Sequence, residues 1–225
     1  AKMAVNLLLA ESEEEAYHFG EKLNIKNNKR RDVDTKITSQ ALEMIASDQQ
    51  LTRAKTTVLF KEDWHKGVIG IVASRCIETY HRPTIILTES NGKATGSARS
   101  VPGFEVHNAI EESAELHTQF GGHKYAAGLT MELAQIESFK QRFEEVVSNS
   151  IPDELLIPKI EIDASLDLGL ITPNFVKVLN RMQPYGPENL RPVFAAENCK
   201  IVGGVKVIKD KHLKFSVTQI GGSRK

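Results

Sequence analysis

Residues 119–131, QFGGHKYAAGLTM, constrain the chain more than any other stretch. Gly121 and Gly122 are free to take positive φ, so they predict a tight turn in which successive backbone N–H groups converge on an anion. His123 and Lys124 place charge at the same spot. Ala126, Ala127 and Gly128 keep the following turn free of bulk, so that a ligand as large as a nucleotide can lie against the main chain. A bare Gly-Gly is also an ordinary turn between two elements, and the pair alone does not separate these readings. The full string GGHKYAAG is far more specific, and Leu129–Met131 reads as a strand leaving it.

The surrounding pattern is α/β. Ser12 and Glu15 form an S-x-x-E capping box that opens a helix, and Ala16, Phe19, Leu23, Ile37, Ala41 and Ile45 recur at three- and four-residue spacing. One helix from Ser12 to Ser47 is about 54 Å long at 1.5 Å per residue, a strut rather than a core helix. Its middle, NIKNNKRRD, has no apolar stripe and must cross a gap or line a groove. Thr56–Phe60, Gly67–Thr79 and Thr84–Thr88 read as strand, helix, strand, a βαβ unit with parallel pairing. Gly67 and Gly70 let that helix start close to the sheet. Lys93–Ser100 alternates as a strand, Val106–Leu116 reads as an amphipathic helix, and Leu133–Asn149 as the helix that closes the domain.

Pro152 and Pro158 bracket a break in the pattern, which predicts a boundary. The expected organisation is connecting helices over 1–51, a mixed-sheet domain over 52–150, and a linker with the start of a second domain over 151–225. In the last part, Ile160–Leu166 reads as a strand, Pro173–Met182 as a helix, and Val193–Lys209 with Lys214–Gln219 as a hairpin or meander. So few strands close no barrel, and an unpaired, adhesive edge is expected.

Formal net charge is zero, a poor match to nucleic acid were it evenly spread. It is segregated: residues 132–170 carry nine acids against three bases, and residues 191–225 carry eight bases against two acids. A basic segment suits a surface that tracks a phosphate backbone, and a solvated face gives the same count. With no apolar run of about 18 residues and no basic-then-apolar leader, neither a membrane span nor a signal peptide is expected. The opening AKMAVNLLLA reads as mid-helix. Cys76 and Cys199 lack metal-ligand spacing and are expected to be buried thiols in a reducing compartment, the cytoplasm.

Phosphodiester hydrolysis by metal-bound water needs clustered carboxylates and histidines, and the eight Asp are scattered. His65 and His107 open helices, while His81 and His117 lie near helix ends, where capping and surface roles compete with ligation. Binding residues are easier to find. Ser97 and Arg99 in GSARS lie two apart on a strand, hence on one face, and a guanidinium fork matches phosphate oxygens. An exposed strand arginine in a salt bridge is the competing role. Trp64 can stack a base or pack the βαβ unit, Tyr125 in the Gly loop is a weak stacking candidate, and Tyr185 packs at the hinge to the second domain.

The string GGHKYAAG resembles the GGHxxAAG signature of the DHH-associated domain, the substrate-binding half of DHH-superfamily phosphoesterases. WHKGVIGIVASR (64–75), YHRPTIIL (80–87), GSARSVPGF (96–104) and QPYGPENLRPVF (183–194) are similar to the RecJ branch, single-strand-specific 5′ exonucleases, across nearly the whole chain and in the expected order. The resemblance implies that the strut connects a catalytic half to the associated domain and that residues after 151 open an oligonucleotide-binding barrel. It implies that Ser97 and Arg99 belong to a pocket for a 5′-terminal phosphate. Gly121, Gly122 and His123 would form the adjoining nucleotide site, Ser100, Lys124, Ala126, Ala127 and Gly128 would be further nucleic-acid or phosphate contacts, and Asn28 and Arg31 match the family's N-x-x-R on the connecting helix. The Asp-His-His signature is absent, so no catalytic residue, metal ligand or cofactor is expected in this chain. Mn²⁺ or Mg²⁺ is expected in a catalytic domain elsewhere in the polypeptide. The implied partner is single-stranded DNA, the implied state a monomer, and no membrane is involved.

Two alternatives stay open. A small-nucleotide phosphodiesterase of the same superfamily is disfavoured because such relatives often carry a third glycine where Phe120 stands. A non-catalytic single-strand-binding module acting through a partner would be distinguished by sequence preceding Ala1.

Overall fold

The computed structural model describes residues 2–209 and 212–221. The elements run, in order, α1 (Lys2–Leu8), α2 (Glu13–Ser47), α3 (Gln49–Arg53), β1 (Thr57–Phe60), α4 (Ile69–Tyr80), β2 (Thr84–Ser90), β3 (Lys93–Arg99) and α5 (Val106–Glu111). They continue with β4 (Gln119–His123), β5 (Ala126–Glu132), α6 (Ile136–Ser150), β6 (Ala164–Ser165), α7 (Pro173–Arg181), β7 (Phe194–Ala195), β8 (Cys199–Ile208) and β9 (His212–Gln219). The chain is a mixed α/β protein, as its pattern predicts, and divides into two units, 1–158 and 159–225.

The first unit is built on a five-stranded mixed sheet in the order β1-β2-β3-β5-β4. β1 and β2 pair in parallel across the α4 crossover, and every other neighbour is antiparallel. Helices cover both faces. On one, Ile85, Leu87, Ala94, Ala98, Ala127, Leu129 and Met131 pack with α5 and with Phe139, Phe143 and Val147 of α6. On the other, Leu59 and Ile86 pack with Val72, Ala73 and Cys76 of α4, which in turn meet Ile37, Ala41 and Ile45 of α2. Only the C-terminal third of α2 is therefore buried, and its middle is solvated as its composition requires. The helix begins where the capping box places it, with Ser12 Oγ accepting from Glu15 N at 3.2 Å, and 35 residues make it about 52 Å long.

Trp64 belongs to this core: it is 4% exposed, and its indole N–H donates to Gln40 Oε1 at 2.9 Å. Of its two expected roles, packing is the one realised. The predicted helix 106–116 is shorter, ending at Glu111 before a 3-10 turn at Ala114–Leu116.

The second unit holds short β6 and β7, paired in parallel, and an antiparallel ribbon of β8 and β9. The predicted strand 160–166 contracts to two residues because only Ala164 and Ser165 meet a partner strand. The expectation that both cysteines are buried is corrected for Cys199, which is exposed, while Cys76 is buried. No second sheet packs on the described part of the ribbon, so apolar side chains such as Val207 and Leu213 stay open to solvent. Tyr185 donates its hydroxyl to Leu179 O at 2.8 Å, under the guanidinium of Arg191. Within the basic segment, Asp210, Lys211, Arg224 and Lys225 lie outside the described residues.

Candidate functional site

The sheet register decides which small and charged residues share a surface. Paired residues in neighbouring strands lie on one face, and each step of two along a strand repeats that face. On the α4 side, three rows cross β3, β5 and β4: Arg99–Ala126–His123, Ser97–Gly128–Gly121 and Thr95–Thr130–Gln119. A fourth row, Lys93 opposite Glu132, is closed by an ion pair of 2.7 Å. The first turn of α4 borders this face. The result is a cavity of about 450 Å³ lined by Lys66, Ile69 and Gly70 on one side and by the second and third rows on the other.

The sequence suggests a Gly-Gly turn, and the structure corrects it. Gly121 and Gly122 are strand residues of β4, the sheet's edge, and the turn proper is Lys124–Tyr125. Gly122 alone of the two takes positive φ, +155°. A Cβ there would lie against the Ala126 carbonyl and 2.5 Å from Ala127 Cα, so glycine is required for β4 to approach β5. Gly121 and Gly128 serve differently: they face each other in the middle row and leave its floor flat.

Arg99 is the centre of the site. Its Nη1 donates to Ser97 Oγ at 2.9 Å and to the Ala98 carbonyl at 2.7 Å, so the two residues singled out on one strand face do touch. A Cβ on Gly70 would lie 2.7 Å from Arg99 Nη2 and 3.0 Å from Ser97 Oγ. The missing side chain of Gly70 is thus the space in which the guanidinium rests against α4. The salt bridge anticipated as the competing role for Arg99 is not formed: among the described residues no carboxylate pairs with it. Its Nε and Nη2 have no protein acceptor among the described residues.

The remaining candidates divide. His123 and Ala126 share the Arg99 row, and Gly121 and Gly128 the Ser97 row. Ala127 is buried in the core on the opposite face, 4% exposed, so it supports the sheet and offers no surface to a ligand. Lys124 is committed to Glu105 at 2.6 Å; that hydrogen bond and charge hold the Glu105 carboxyl below its ordinary value and push the Lys124 ammonium above its own. Ser100 donates its backbone N–H to Tyr125 O at 3.1 Å, while its hydroxyl is buried with no partner among the described residues. Asn28 and Arg31 are exposed on α2, outside the part that packs on α4.

Sequence reasoning passes over Lys66, Thr95, Gln119 and Thr130, which line the cavity. For the last three the signal is strand alternation, once β4 is read as a strand. Among the described residues no three His, Cys, Asp or Glu side chains are grouped to hold a metal ion, and no helix is long and apolar enough to cross a membrane.

Comparison with known proteins adds two domain matches: the DHHA1 domain over residues 52–149 and the RecJ OB domain over residues 162–225. The single-stranded-DNA-specific exonuclease RecJ of Bacillus subtilis is 32% identical across 96% of this chain, which spans 28% of that protein. That of Escherichia coli is 30% identical across 98% of the chain, which spans 39% of it. Two crystal structures of RecJ from Thermus thermophilus superpose on 96% of the chain. The Mg²⁺ complex does so with a TM-score of 0.76 at 30% identity, covering 33% of that chain. The Mn²⁺ complex gives 0.78 at 29% identity, covering 31%.

Proposed function

The chain belongs to the RecJ family, carrying a DHHA1 domain followed by a RecJ OB domain, and we propose that it is the substrate-gripping part of a single-stranded-DNA-specific 5′-to-3′ exonuclease. The chain spans 28% to 39% of its curated relatives, and it offers no carboxylate and histidine group for metal-activated water among its described residues. Hydrolysis, and the Mn²⁺ or Mg²⁺ it uses, is therefore assigned to the catalytic part of the full-length polypeptide. This chain holds the strand and sets which phosphate reaches that centre.

The observation that carries this reading is the Arg99 guanidinium. It is oriented by Ser97 and Ala98, backed by the bare Cα of Gly70, and opposed by no described carboxylate, with two donor nitrogens that have no acceptor among the described residues. A planar fork with unused N–H groups takes a phosphate at about 1.5–3 kcal/mol per charge-assisted hydrogen bond. Gly121, Gly128 and Ala126 leave room for the attached nucleotide, and His123 lies in the arginine's own row. Gly122, Lys124, Ala127 and Ser100 shape this hairpin and its support. Asn28 and Arg31 offer further polar and basic contacts on the connecting helix, and the basic residues of the second unit offer phosphate contacts of their own.

The test is binding of the chain to labelled oligonucleotides at several salt concentrations. Expected are a preference for single strands bearing a 5′-phosphate over those ending in a 5′-hydroxyl, a loss of affinity with salt through counterion release, and no degradation when Mn²⁺ is added. Indifference to the end group, or hydrolysis by the chain alone, overturns the assignment.

A further inference from the structure

Resting on that reading, the groove has a second end whose chemistry differs from the first. Going from Arg99 toward Thr95, four residues along β3 and about 13 Å, the exposed groups change from cationic to neutral. Thr95, Thr130 and Gln119 are adjacent in one row and all line the cavity. None of their side-chain polar atoms has a partner among the described residues, although the Thr130 carbonyl accepts from Thr118 N and Oγ1 at 2.8 and 3.1 Å. The next row outward, Lys93 with Glu132, is charged but self-neutralised by its ion pair. The row therefore offers two hydroxyls and one carboxamide, donors and acceptors together and without net charge. Phosphate, which only accepts, is matched better at the arginine end. The heterocyclic edge of a base, which presents donors beside acceptors, is matched at this one.

We propose that Thr95, Thr130 and Gln119 read the base of the end-bound nucleotide, with Gln119 as the specificity-determining residue and adenine as the favoured base. A carboxamide pairs in bidentate fashion with the N6 amino donor and N7 acceptor on the Hoogsteen edge of adenine, the edge on which guanine presents two acceptors and a pyrimidine has no ring nitrogen. In a single strand an unstacked base can turn that edge toward the row, because no complementary strand holds it in place. The threonine hydroxyls act as either donor or acceptor and support the base without choosing it. Gln119 stands on the exposed edge strand, so its side chain is not needed by the core.

The experiment uses the full 225-residue chain and five 5′-phosphorylated oligonucleotides identical except at the first position, which is dA, dG, dC, dT or an abasic sugar. Affinities are measured by fluorescence anisotropy at one salt concentration. The wild type is expected to bind the dA strand about fivefold or more tightly than the dC and dT strands, the lower end of what one bidentate pair discriminates, and the abasic strand most weakly. Gln119→Ala is expected to bring the four bases within about twofold of one another, and Thr130→Val to weaken all four alike. Thermal unfolding establishes that each variant is folded. Equal wild-type affinity for all four bases and the abasic sugar overturns the proposal, as does a base preference unchanged by Gln119→Ala. The parent reading is tested separately in the same series by the dA strand with a 5′-hydroxyl. Loss of the phosphate preference in wild type removes that reading and this one together, while a retained phosphate preference without base preference removes this one only.

Discussion

Arg82 and Arg99 flank the same end of the central sheet, since Arg82 enters β2 two residues before Thr84, the partner of Arg99, yet the protein uses them in opposite ways. Arg82 is 5% exposed. Its Nε donates to Thr57 Oγ1 at 2.8 Å and its Nη1 to the Ala54 carbonyl at 2.6 Å, and the guanidinium lies 5.1 Å from the Tyr80 ring centroid. Burial pulls its pKa down from the ordinary value and the charge of Glu144 opposes that. Glu144 meanwhile accepts from the N–H groups of Lys55 and Thr56, both at 2.9 Å, capping the start of β1. Arg99 also has two protein acceptors, but it is half-buried, no described carboxylate pairs with it, and its row borders an open groove. What separates them is access: Arg82 is closed in by the protein, and even its Nη2, which has no partner among the described residues, is buried, whereas the unused donors of Arg99 lie on the half-buried face that borders the groove.

This contrast can be broken most easily at its structural end. Arg82→Ala leaves the Ala54 carbonyl and the Thr57 hydroxyl without their donor in a buried setting, and each orphaned acceptor costs about 1–3 kcal/mol. A loss of about 2–5 kcal/mol is expected in urea denaturation, with DNA affinity of the folded fraction retained; a loss under 1 kcal/mol would make Arg82 no more structural than Arg99.

Cys76 sharpens the same end through pH. Burial pushes its thiol from 9.0 up to about 11, and Arg82 opposes the shift. Between those values the unfolded thiol has ionised while the folded one keeps its proton, so stability is full below pH 9 and falls as pH rises toward 11. Two units correspond to about 2.7 kcal/mol. Cys76→Ala should flatten that part of the stability-against-pH curve, and an unchanged slope between pH 9 and 11 would remove Cys76 as its cause.

The smallest expected effect comes from Gly70→Ala. Alanine is favoured over glycine inside a helix by up to about 1 kcal/mol, while the new methyl presses on the flexible ends of Arg99 and Ser97. Unfolding stability should hold or rise as affinity for a 5′-phosphorylated strand drops several-fold. A variant that loses stability and keeps its affinity would show that the glycine serves packing alone.

Much of the fold is legible in the sequence because it depends on local rules. The Ser12–Glu15 cap starts α2, hydrophobic spacing gives the α4 crossover, and alternation along β3 puts Ser97 and Arg99 on one face. The features that escape depend on pairing between distant residues. Two adjacent glycines read locally as a turn; they become an edge strand only because β5 supplies Ala127 and Gly128 as partners. The same register turns Ala127 into the core and brings Gln119 beside Thr130, and neither outcome is encoded within the GGHKYAAG string. The role of Gly70 depends on where the tip of Arg99 comes to rest, 29 positions along the chain. Cys199 escapes because a β-branched, alternating segment predicts a strand equally well whether or not a second layer covers it.

The central claim is that Arg99, and not the basic surface in general, recognises the end of the strand. The most direct measurement is a two-by-two comparison, wild type and Arg99→Ala against one oligonucleotide carrying either a 5′-phosphate or a 5′-hydroxyl, with unfolding stability measured in parallel. The expected result is a 10- to 100-fold loss for the phosphorylated strand, about 1.5–3 kcal/mol, little change for the hydroxyl strand, and stability within about 0.5 kcal/mol of wild type. Equal losses for the two ends would contradict the claim and make Arg99 one positive charge among many.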